Sequence, residues 1–313
     1  MVDGAAVHRG LRSMGCPPVT WIQQVCWRLE MDYLGHPYYV TGNAITNALA
    51  QSLPRDIRCS IHASHGMFAP GQFGVYPDEH SKLRAHPSMG AALPEVEAYD
   101  DLFLHRHPEQ LWLLDSRPRD AINAHDLRRH SGHPTFAYEM RVGRESASWT
   151  DARKTTWFVH AYLHAAESGI LPLDDDMIDG LQFGGKRNYG YGATSLHKTR
   201  LVDLEQLDYS RLEGADRYRI DLCTPFVLSS DYPGTTTVNI PEWWEMSQKL
   251  RHREECLVKS GSRHQLQTID HGQQVTYTGD CPVETAKAGL TRIGTHSKYG
   301  FGEFRIRPIT TMS

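Results

Sequence analysis

A nine-residue glycine-rich segment occurs twice in this chain, and no other sequence feature constrains the fold as strongly. The first copy is Gly184-Gly185-Lys186-Arg187-Asn188-Tyr189-Gly190-Tyr191-Gly192, and the second is Gly294-Thr295-His296-Ser297-Lys298-Tyr299-Gly300-Phe301-Gly302. The copies align without a gap at a separation of 110 residues, and each leads into a strand-like segment, 193–201 or 303–308. Such a repeat predicts two copies of one structural unit.

The composition of the two glycine loops indicates a phosphate-binding function. Glycine permits positive φ angles and lets backbone amides approach a partner closely. Lys186, Arg187, His296 and Lys298 add positive charge or hydrogen-bond donors to the middle of each loop. Amides and cations together suit phosphodiester oxygens, whatever base is attached. The alternative is a tight turn between a helix and a strand with solvated charges, but two copies in matching positions favour phosphate binding.

Length and composition are those of a folded, two-domain protein. The chain has 313 residues, 40% of them hydrophobic, and no apolar run approaches the ~20 residues of a membrane span. Residues 1–12 lack the apolar core of a signal peptide, so we expect a cytoplasmic protein that does not contact a membrane. The six cysteines form no C-x-x-C pair, which favours reduced thiols.

The net charge of −4 argues against a uniformly basic nucleic-acid coat. The charge is unevenly distributed, because residues 174–176 are acidic while residues 125–133 and both glycine loops are basic. Local patches, not the total charge, decide nucleic-acid binding.

Hydrophobic periodicity predicts the order β-α-β, insertion, β-α-loop-β in the first part of the chain. The predicted elements are a half-buried strand at 21–34, a helix that begins at Thr41 and ends at Pro54, a strand at 57–61, a strand at 155–165, and a helix that opens at Pro172 and the three aspartates. Residues 65–150 are rich in His, Pro, Gly and Arg and are predicted to be an insertion.

The same order is predicted beyond a linker at 202–216. Its elements are a strand at 218–228, a helix at 241–259, a hairpin at 263–278 that turns at Asp270-His271-Gly272, a helix at 282–290, and the last strand after the second glycine loop. This order predicts an α+β fold of two tandem ferredoxin-like (RRM-like) domains, with a glycine-rich loop before the last strand of each. The domains span 1–205, with an insertion at about 65–150, and 206–313.

The insertion contains a basic cluster, formed by His125, Arg128, Arg129, His130 and His133. It is either a solvated loop or a finger that contacts nucleic acid or a neighbouring subunit, and the sequence leaves both open.

Histidines in the predicted strand 155–165 are candidates for binding. On a helix, His160 and His164 with Glu167 would suggest a metal pair, but the period of two favours a strand, and we predict no metal site or cofactor. On a strand, His160, Tyr162 and His164 share one face, where they can stack on unpaired bases, and Arg28 joins them from a neighbouring strand. The alternative is a polar face covered by the insertion or the second domain.

No G-x-S-x-G, Walker or dinucleotide-binding motif is present in the sequence, so hydrolase, NTPase and dehydrogenase functions lack support.

Tandem ferredoxin-like domains with a glycine-rich loop just before the last strand resemble the RAMP superfamily of CRISPR-associated proteins. The opening Tyr39-Val40-Thr41-Gly42-Asn43-Ala44-Ile45 and the loop 184–192 look most like the larger subunits that bind the 5′ end of guide RNA in type III-like effector complexes. The family loop usually carries arginine before its final Gly-aromatic-Gly, whereas this chain has Tyr189 and Tyr299 there.

The resemblance implies binding of guide RNA (crRNA) within a CRISPR ribonucleoprotein. Expected partners are other effector subunits, notably a backbone-forming RAMP protein, with target nucleic acid contacted indirectly. The residues expected at the RNA are Gly184, Gly185, Lys186, Arg187, Tyr189, Gly190 and Gly192 in the first loop, Gly294, His296, Lys298, Tyr299, Gly300 and Gly302 in the second, and Arg28, His160, Tyr162 and His164 on the sheet.

The same resemblance implies that this chain has no catalytic role. The superfamily also contains metal-independent endoribonucleases that process guide RNA, using the 2′-hydroxyl of the RNA as nucleophile and commonly a histidine as acid or base. For that alternative, His36 and His160 are the candidate catalytic residues.

Overall fold

A computed structural model describes residues 21–36, 39–70, 119–122, 133–136, 139–142, 153–233, 240–246, 249–259 and 261–309. Up to residue 205, which we call the first half, the elements are β1 Trp21–Leu29, β2 Tyr33–Leu34, α1 Gly42–Ser52, α2 Arg55–Ser60, β3 Ile61–Ala63, β4 Met67–Pro70, β5 Arg119–Ile122, β6 His133–Phe136, β7 Glu139–Val142, β8 Arg153–Ala165, α3 Asp175–Ile178 and β9 Thr194–Asp203.

From residue 206 onward, which we call the second half, strands predominate. The elements are β10 Tyr218–Leu222, β11 Phe226–Ser230, β12 Trp244–Glu245, β13 His252–Lys259, β14 Ser262–Ile269, β15 Gln274–Tyr277, α4 Pro282–Thr291 and β16 Phe304–Pro308. Residues 1–12 and the predicted basic cluster of the insertion, apart from the backbone of His133, lie outside the described residues.

The main sheet of the first half has the strand order β3-β8-β1-β9, and all its pairings are antiparallel. Helix α1 connects β1 to β3 and begins at Thr41, whose hydroxyl oxygen accepts a hydrogen bond from the Ala44 amide. Counting β1, β3, β8 and β9 as strands one to four, the order is 2-3-1-4. This is the ferredoxin-like arrangement predicted from the sequence.

The second half repeats this order in its sheet β12-β15-β10-β16, again with antiparallel pairing. Helix α4 precedes the last strand, as α3 does in the first half. The first crossover differs, since the described part of the segment from β10 to β12 contains strand β11. β11 pairs with β14, and together with β13 these strands form a separate three-stranded sheet, whose other two members lie between β12 and β15. The α+β fold of two ferredoxin-like units is therefore confirmed, with a glycine loop before the last strand of each.

The two largest clusters of buried side chains lie one in each half. Trp27, Trp157 and Phe183 belong to the first, and Phe304 and Ile306 to the second. The domain boundary at residue 205 stays a prediction. The predicted linker is itself packed, because Leu204 and Leu212 are buried.

The helix predicted at 241–259 is wrong, because this segment contains the strands β12 and β13. Within β13, Glu255 and Leu257 are buried while Cys256 and Val258 are exposed, which is the period of two of a strand. The hairpin at 263–278 is also wrong, since β14 pairs with β13 and β11, while β15 pairs with β10 and β12. The turn at 270–272 instead carries the chain from one sheet to the other.

Three further elements depart from the sequence prediction. Residues 55–60 are helical and only 61–63 form a strand, because apolar residues four positions apart, Ile57 and Ile61, suit either structure. The strand predicted at 218–228 divides into β10 and β11, which belong to different sheets. The helix after Pro172 is a single turn, Asp175–Ile178.

Strand β1 is buried on both faces, although its alternation predicted a half-buried strand. Val25 and Trp27 face the helices, while Ile22 on the other face joins Tyr162 of β8 and Leu290 of α4 in a third buried cluster. The second half thus covers part of the sheet face that the first half leaves open. None of the helices in the described ranges has the length and apolar character needed to cross a bilayer.

The C-terminal strand β16 belongs to a sheet, as predicted, because it pairs with β10, and its Phe304 and Ile306 are fully buried. We expect Ile306→Ala to lower the free energy of unfolding by about 2–5 kcal/mol, through lost burial and the cavity left behind. Ile309→Ala is the matched control, since Ile309 is 36% exposed just beyond the strand. Urea unfolding of both variants checks this, and equal stabilities would contradict the packing described here.

Candidate nucleic-acid interface

The two glycine loops share their closing hydrogen bond and their 3-10 turn as well as related sequences. The Gly192 carbonyl accepts a hydrogen bond from the Phe183 amide at 2.9 Å, and the Gly302 carbonyl accepts one from the Ile293 amide at 3.1 Å. Each loop contains one 3-10 turn, 187–189 or 297–299, followed by a glycine in the left-handed region. The sequence repeat is therefore a repeat of structure.

The last glycine of each loop is required by the fold itself. Gly192 and Gly302 have φ angles of 70° and 81°. A Cβ atom at these positions would overlap the carbonyl oxygen of Phe183 or Ile293. The tight turn alone explains why these two residues are glycine, because they close the loop whether or not it binds a ligand.

The first loop projects from the surface. Its base is anchored by the Gly185 and Gly192 amides, which donate to the carbonyls of Leu34 and Asp32, both at 2.8 Å. At its tip, the Tyr189 side chain is 69% exposed, the largest exposure among the large hydrophobic side chains of the described residues. The tip is therefore open to a ligand.

Two cations accompany this exposed tyrosine. The Lys186 ammonium lies 6.0 Å from the centroid of the Tyr189 ring, close enough for a cation–π interaction. Lys186 and Arg187 are partly exposed, and no ion pair to either is found in the described part of the chain. Their charge is available to an anion.

The backbone at Lys186 forms an anion-binding concavity. Lys186 has φ 53° and ψ 36°, in the left-handed region that few residues other than glycine adopt, and Arg187 begins a right-handed 3-10 turn. This succession turns consecutive N–H groups toward one side. Within the described ranges, the amides of Lys186, Arg187 and Asn188 have no backbone acceptor. Three amides without a backbone acceptor and two cationic side chains thus lie next to one another at the loop tip.

The second loop, in contrast, is packed against the first half. Its His296 and Tyr299 side chains are buried, and a Cβ atom on Gly42, at the start of α1, would overlap the Tyr299 carbonyl. The Lys298 ammonium donates to the carbonyls of Arg58 and Cys59 at the end of α2, and burial lowers its pKa. These contacts correct the prediction of a second exposed phosphate site, because they occupy the side chains that it requires.

The predicted stacking face of β8 is buried as well. His160, Tyr162 and His164 are all at most 3% exposed. His160 Nε2 lies 3.7 Å from Cys26 Sγ, and His164 Nδ1 lies 2.7 Å from Arg292 Nη2. This burial disagrees with the predicted stacking surface and agrees with its alternative, a covered polar face, where Arg292 and Leu290 of the second half contact His164 and Tyr162.

Sequence reasoning missed the residue that makes this covering contact, Arg292. It is buried immediately after α4 with φ 68° and ψ 146°, which is rare and strained for a residue other than glycine. Its Nε donates to the Ser297 carbonyl at 2.9 Å, so it joins the second loop to β8. Burial, followed by the Arg292 charge, lowers the pKa of His62 to about 4 and holds the pKa of His164 well below its usual value.

His36, the other histidine singled out in the sequence, lies in a polar cluster between the halves. Its Nε2 is 3.7 Å from Glu255 Oε2, and its ring stacks on Tyr39 with centroids 4.0 Å apart. The Tyr39 hydroxyl donates to Glu255 at 3.2 Å, and Arg253 lies 3.0 Å from the same carboxylate. Burial lowers the pKa of His36 despite the neighbouring Glu255.

Among the described residues, no group of three or more His, Cys, Asp or Glu side chains is arranged to hold a metal ion.

Neither a protein-family model nor a curated protein matches this sequence. Two similar solved structures are a CRISPR protein from Archaeoglobus fulgidus and the product of a Cas6-related gene from Pyrococcus furiosus. The first is 8% identical, with a TM-score of 0.31 over 83% of this chain and 92% of that one. The second is 10% identical, with a TM-score of 0.38 over 92% and 98%. Similarity this weak assigns no function, and the fold rests on this chain's own strand order.

Two histidines near Arg292, the buried His164 and the half-buried His62, predict acid sensitivity. Their pKa values are lower in the folded chain than in the unfolded chain, so below pH 6.5 the unfolded state binds more protons. The free energy of unfolding therefore decreases as the pH is lowered. His62 contributes to this loss down to about pH 4. Each histidine adds at most about 1.4 kcal/mol per pH unit.

Urea unfolding between pH 7 and pH 4 measures this slope. We expect His164→Gln, which cannot titrate, to unfold with a shallower pH dependence than the wild-type chain, whatever its stability at pH 7. An unchanged slope would show that His164 takes up a proton as readily when folded as when unfolded.

Proposed function

We propose that this chain is a structural subunit of a CRISPR ribonucleoprotein effector complex that binds guide RNA. In this role it holds the 5′ handle of the guide RNA and contacts a backbone-forming subunit of the RAMP superfamily. The observation that carries the proposal is the first glycine loop, where three amides, two cations and an exposed tyrosine lie next to one another. The sequence resemblance supplies the identity of the RNA.

The arrangement suits a nucleotide of a single strand. A phosphate group in the concavity accepts hydrogen bonds from the Lys186, Arg187 and Asn188 amides, and the two side chains neutralise its charge. The exposed Tyr189 ring provides a flat surface on which the adjacent base stacks, a contact that tolerates every base. The loop therefore positions RNA without reading its sequence.

The proposed assembly with other subunits agrees with the different surroundings of the two loops. The second loop and the β8 face are occupied by contacts within the chain, which join the two halves. In our proposal the joined halves present the first loop and the bound RNA end to the backbone-forming subunit.

Charge reversal of the first loop tests the proposal. We expect Lys186→Glu with Arg187→Glu to weaken binding of single-stranded RNAs of different sequence by similar factors, because phosphate contacts do not read bases. The slope of log K against log salt should fall by ~0.7 for each lost contact. Fluorescence anisotropy at several salt concentrations measures both quantities.

The matched control is Lys249→Glu with Arg263→Glu, which reverses two exposed charges in the second half. Thermal unfolding of both double variants confirms that the fold is retained. If the loop variant binds RNA with the affinity and salt slope of the wild-type chain, the loop is a structural turn and the proposal fails.

The cluster at His36 favours a second candidate function, metal-independent cleavage of guide-RNA precursors. Glu255 and Tyr39 orient the His36 imidazole, as a histidine acting in proton transfer requires. In such a reaction the imidazole takes the proton of a 2′-hydroxyl, whose oxygen attacks the adjacent phosphorus and expels the 5′-oxygen. The leaving oxygen takes up a proton, and a 2′,3′-cyclic phosphate remains. His160 is buried beside Cys26 and is not placed for this role.

We expect the purified chain to bind repeat RNA without cutting it. End-group analysis of the RNA after incubation without divalent metal decides between the two functions. Reproducible formation of a 2′,3′-cyclic phosphate that is lost in His36→Ala, but kept in the exposed-site control His252→Ala, would establish the nuclease instead.

A further inference from the structure

The last strand of the first half, β9, continues directly from the first glycine loop and carries a basic strip. The strip consists of Arg28 on β1 and of His197, Lys198 and Arg200 on β9. Except for Arg28, none of these residues was singled out by sequence analysis. β9 pairs only with β1 among the described residues, so it forms an edge of the main sheet.

A β-bulge concentrates these side chains on one face. Cys26 pairs with Lys198 and Trp27 pairs with Leu196, which leaves His197 as the extra residue in β9. Lys198 shares its face with its partner Cys26, and the His197 ring lies 4.9 Å from the Phe158 ring of β8. Cys26 and Phe158 both belong to the face turned away from the helices. The bulge thus adds a second consecutive side chain, His197, to that face.

Arg200 and Arg28 extend the strip in both directions. Arg200 Nε donates to Gln24 Oε1 at 2.9 Å, which fixes the guanidinium on the same face through a neutral acceptor. Arg28 pairs with Ser195, nearest the glycine loop, and its side chain is 48% exposed although it lies 3.6 Å from Glu30. Residues two apart on a strand are about 7 Å apart, so Lys198 and Arg200 form a regular row.

Burial and charge define the strip's limits. His197, Lys198 and Arg200 are exposed, unlike His160 on the same face nearer the sheet centre. At the far end of β9, the three aspartates 174–176 line an open depression together with Thr199, Arg200 and Leu201. Thr199 pairs with Val25, whose side chain faces the helices, so this depression opens on the opposite side of the sheet from the strip. Beyond Arg200, β9 carries no further Lys or Arg and ends at Asp203, which sets the far limit of the strip.

We infer that this strip is a binding track for the phosphodiester backbone of single-stranded RNA and continues the site at the first glycine loop. The inference rests on the proposed function and adds the direction of the strand. The RNA leaves the loop, passes along β9 over Arg28, His197 and Lys198, and departs from the sheet at Arg200. Lys198 and Arg200 contact successive phosphate groups without reading bases.

Neutralisation of the strip tests the inference. We expect Lys198→Gln with Arg200→Gln to weaken binding of a single-stranded RNA of about 20 nucleotides on the order of tenfold at 0.1 M salt. The slope of log K against log salt should fall by about 1.4, since two contacts are lost. The control is Lys249→Gln with Arg263→Gln, which should change neither quantity. Because Arg200 contacts the buried Gln24, His197→Ala with Lys198→Ala serves as a second variant if the first unfolds.

A parallel measurement on Lys186→Gln with Arg187→Gln separates the strip from the loop. Loss of affinity in both the loop and the strip variants supports the track. Loss in the loop variant alone overturns the track and leaves the proposed function standing. Loss in the strip variant alone supports the track but contradicts the loop site, and a wild-type chain that binds no RNA overturns both.

Discussion

The contact between the second glycine loop and the first half is the interaction on which the rest of the structure depends. The backbone of the second loop approaches α1 so closely that residue 42 must be glycine. The Lys298 ammonium donates a hydrogen bond to a backbone carbonyl at the end of α2. Arg292 reaches from the same region to His164 on the first sheet. These contacts bury part of the sheet face that a single ferredoxin-like unit leaves open. In our proposal, RNA binds instead at the first loop and along the edge strand that follows it.

The two glycine loops share one turn but differ in backbone conformation at one position and in their surroundings. Their closing hydrogen bonds and glycine conformations match, yet Lys186 is left-handed with φ 53° whereas the aligned His296 has φ −112°. In the first loop this difference orients the amides of the exposed tip. In the second loop, the corresponding segment fits against helices. Sequence similarity between the loops therefore indicates a shared turn, and in our proposal the surroundings of each loop decide which copy binds RNA.

Local signals in the sequence predicted much of the fold. The repeat located both glycine loops, and alternation located β1 and β8, because period-two patterns depend on neighbours along the chain. The segment 252–259 was mistaken for a helix because its buried Glu255 hid the alternation of a strand. Alternation also placed His160, Tyr162 and His164 on one face but gave no information on what covers it. The strained backbone of Arg292 has no local signal in the sequence, since the contacts of this residue are with segments distant in the chain or in the following loop.

We propose that the first loop binds RNA while the second loop joins the two halves. Amide hydrogen exchange of the full chain, measured with and without single-stranded RNA, tests this claim most directly. We predict that RNA slows exchange at residues 186–188, whose amides have no backbone acceptor within the described residues, and leaves exchange at residues 296–298 unchanged. Equal protection of both loops, or protection of the second alone, would contradict it.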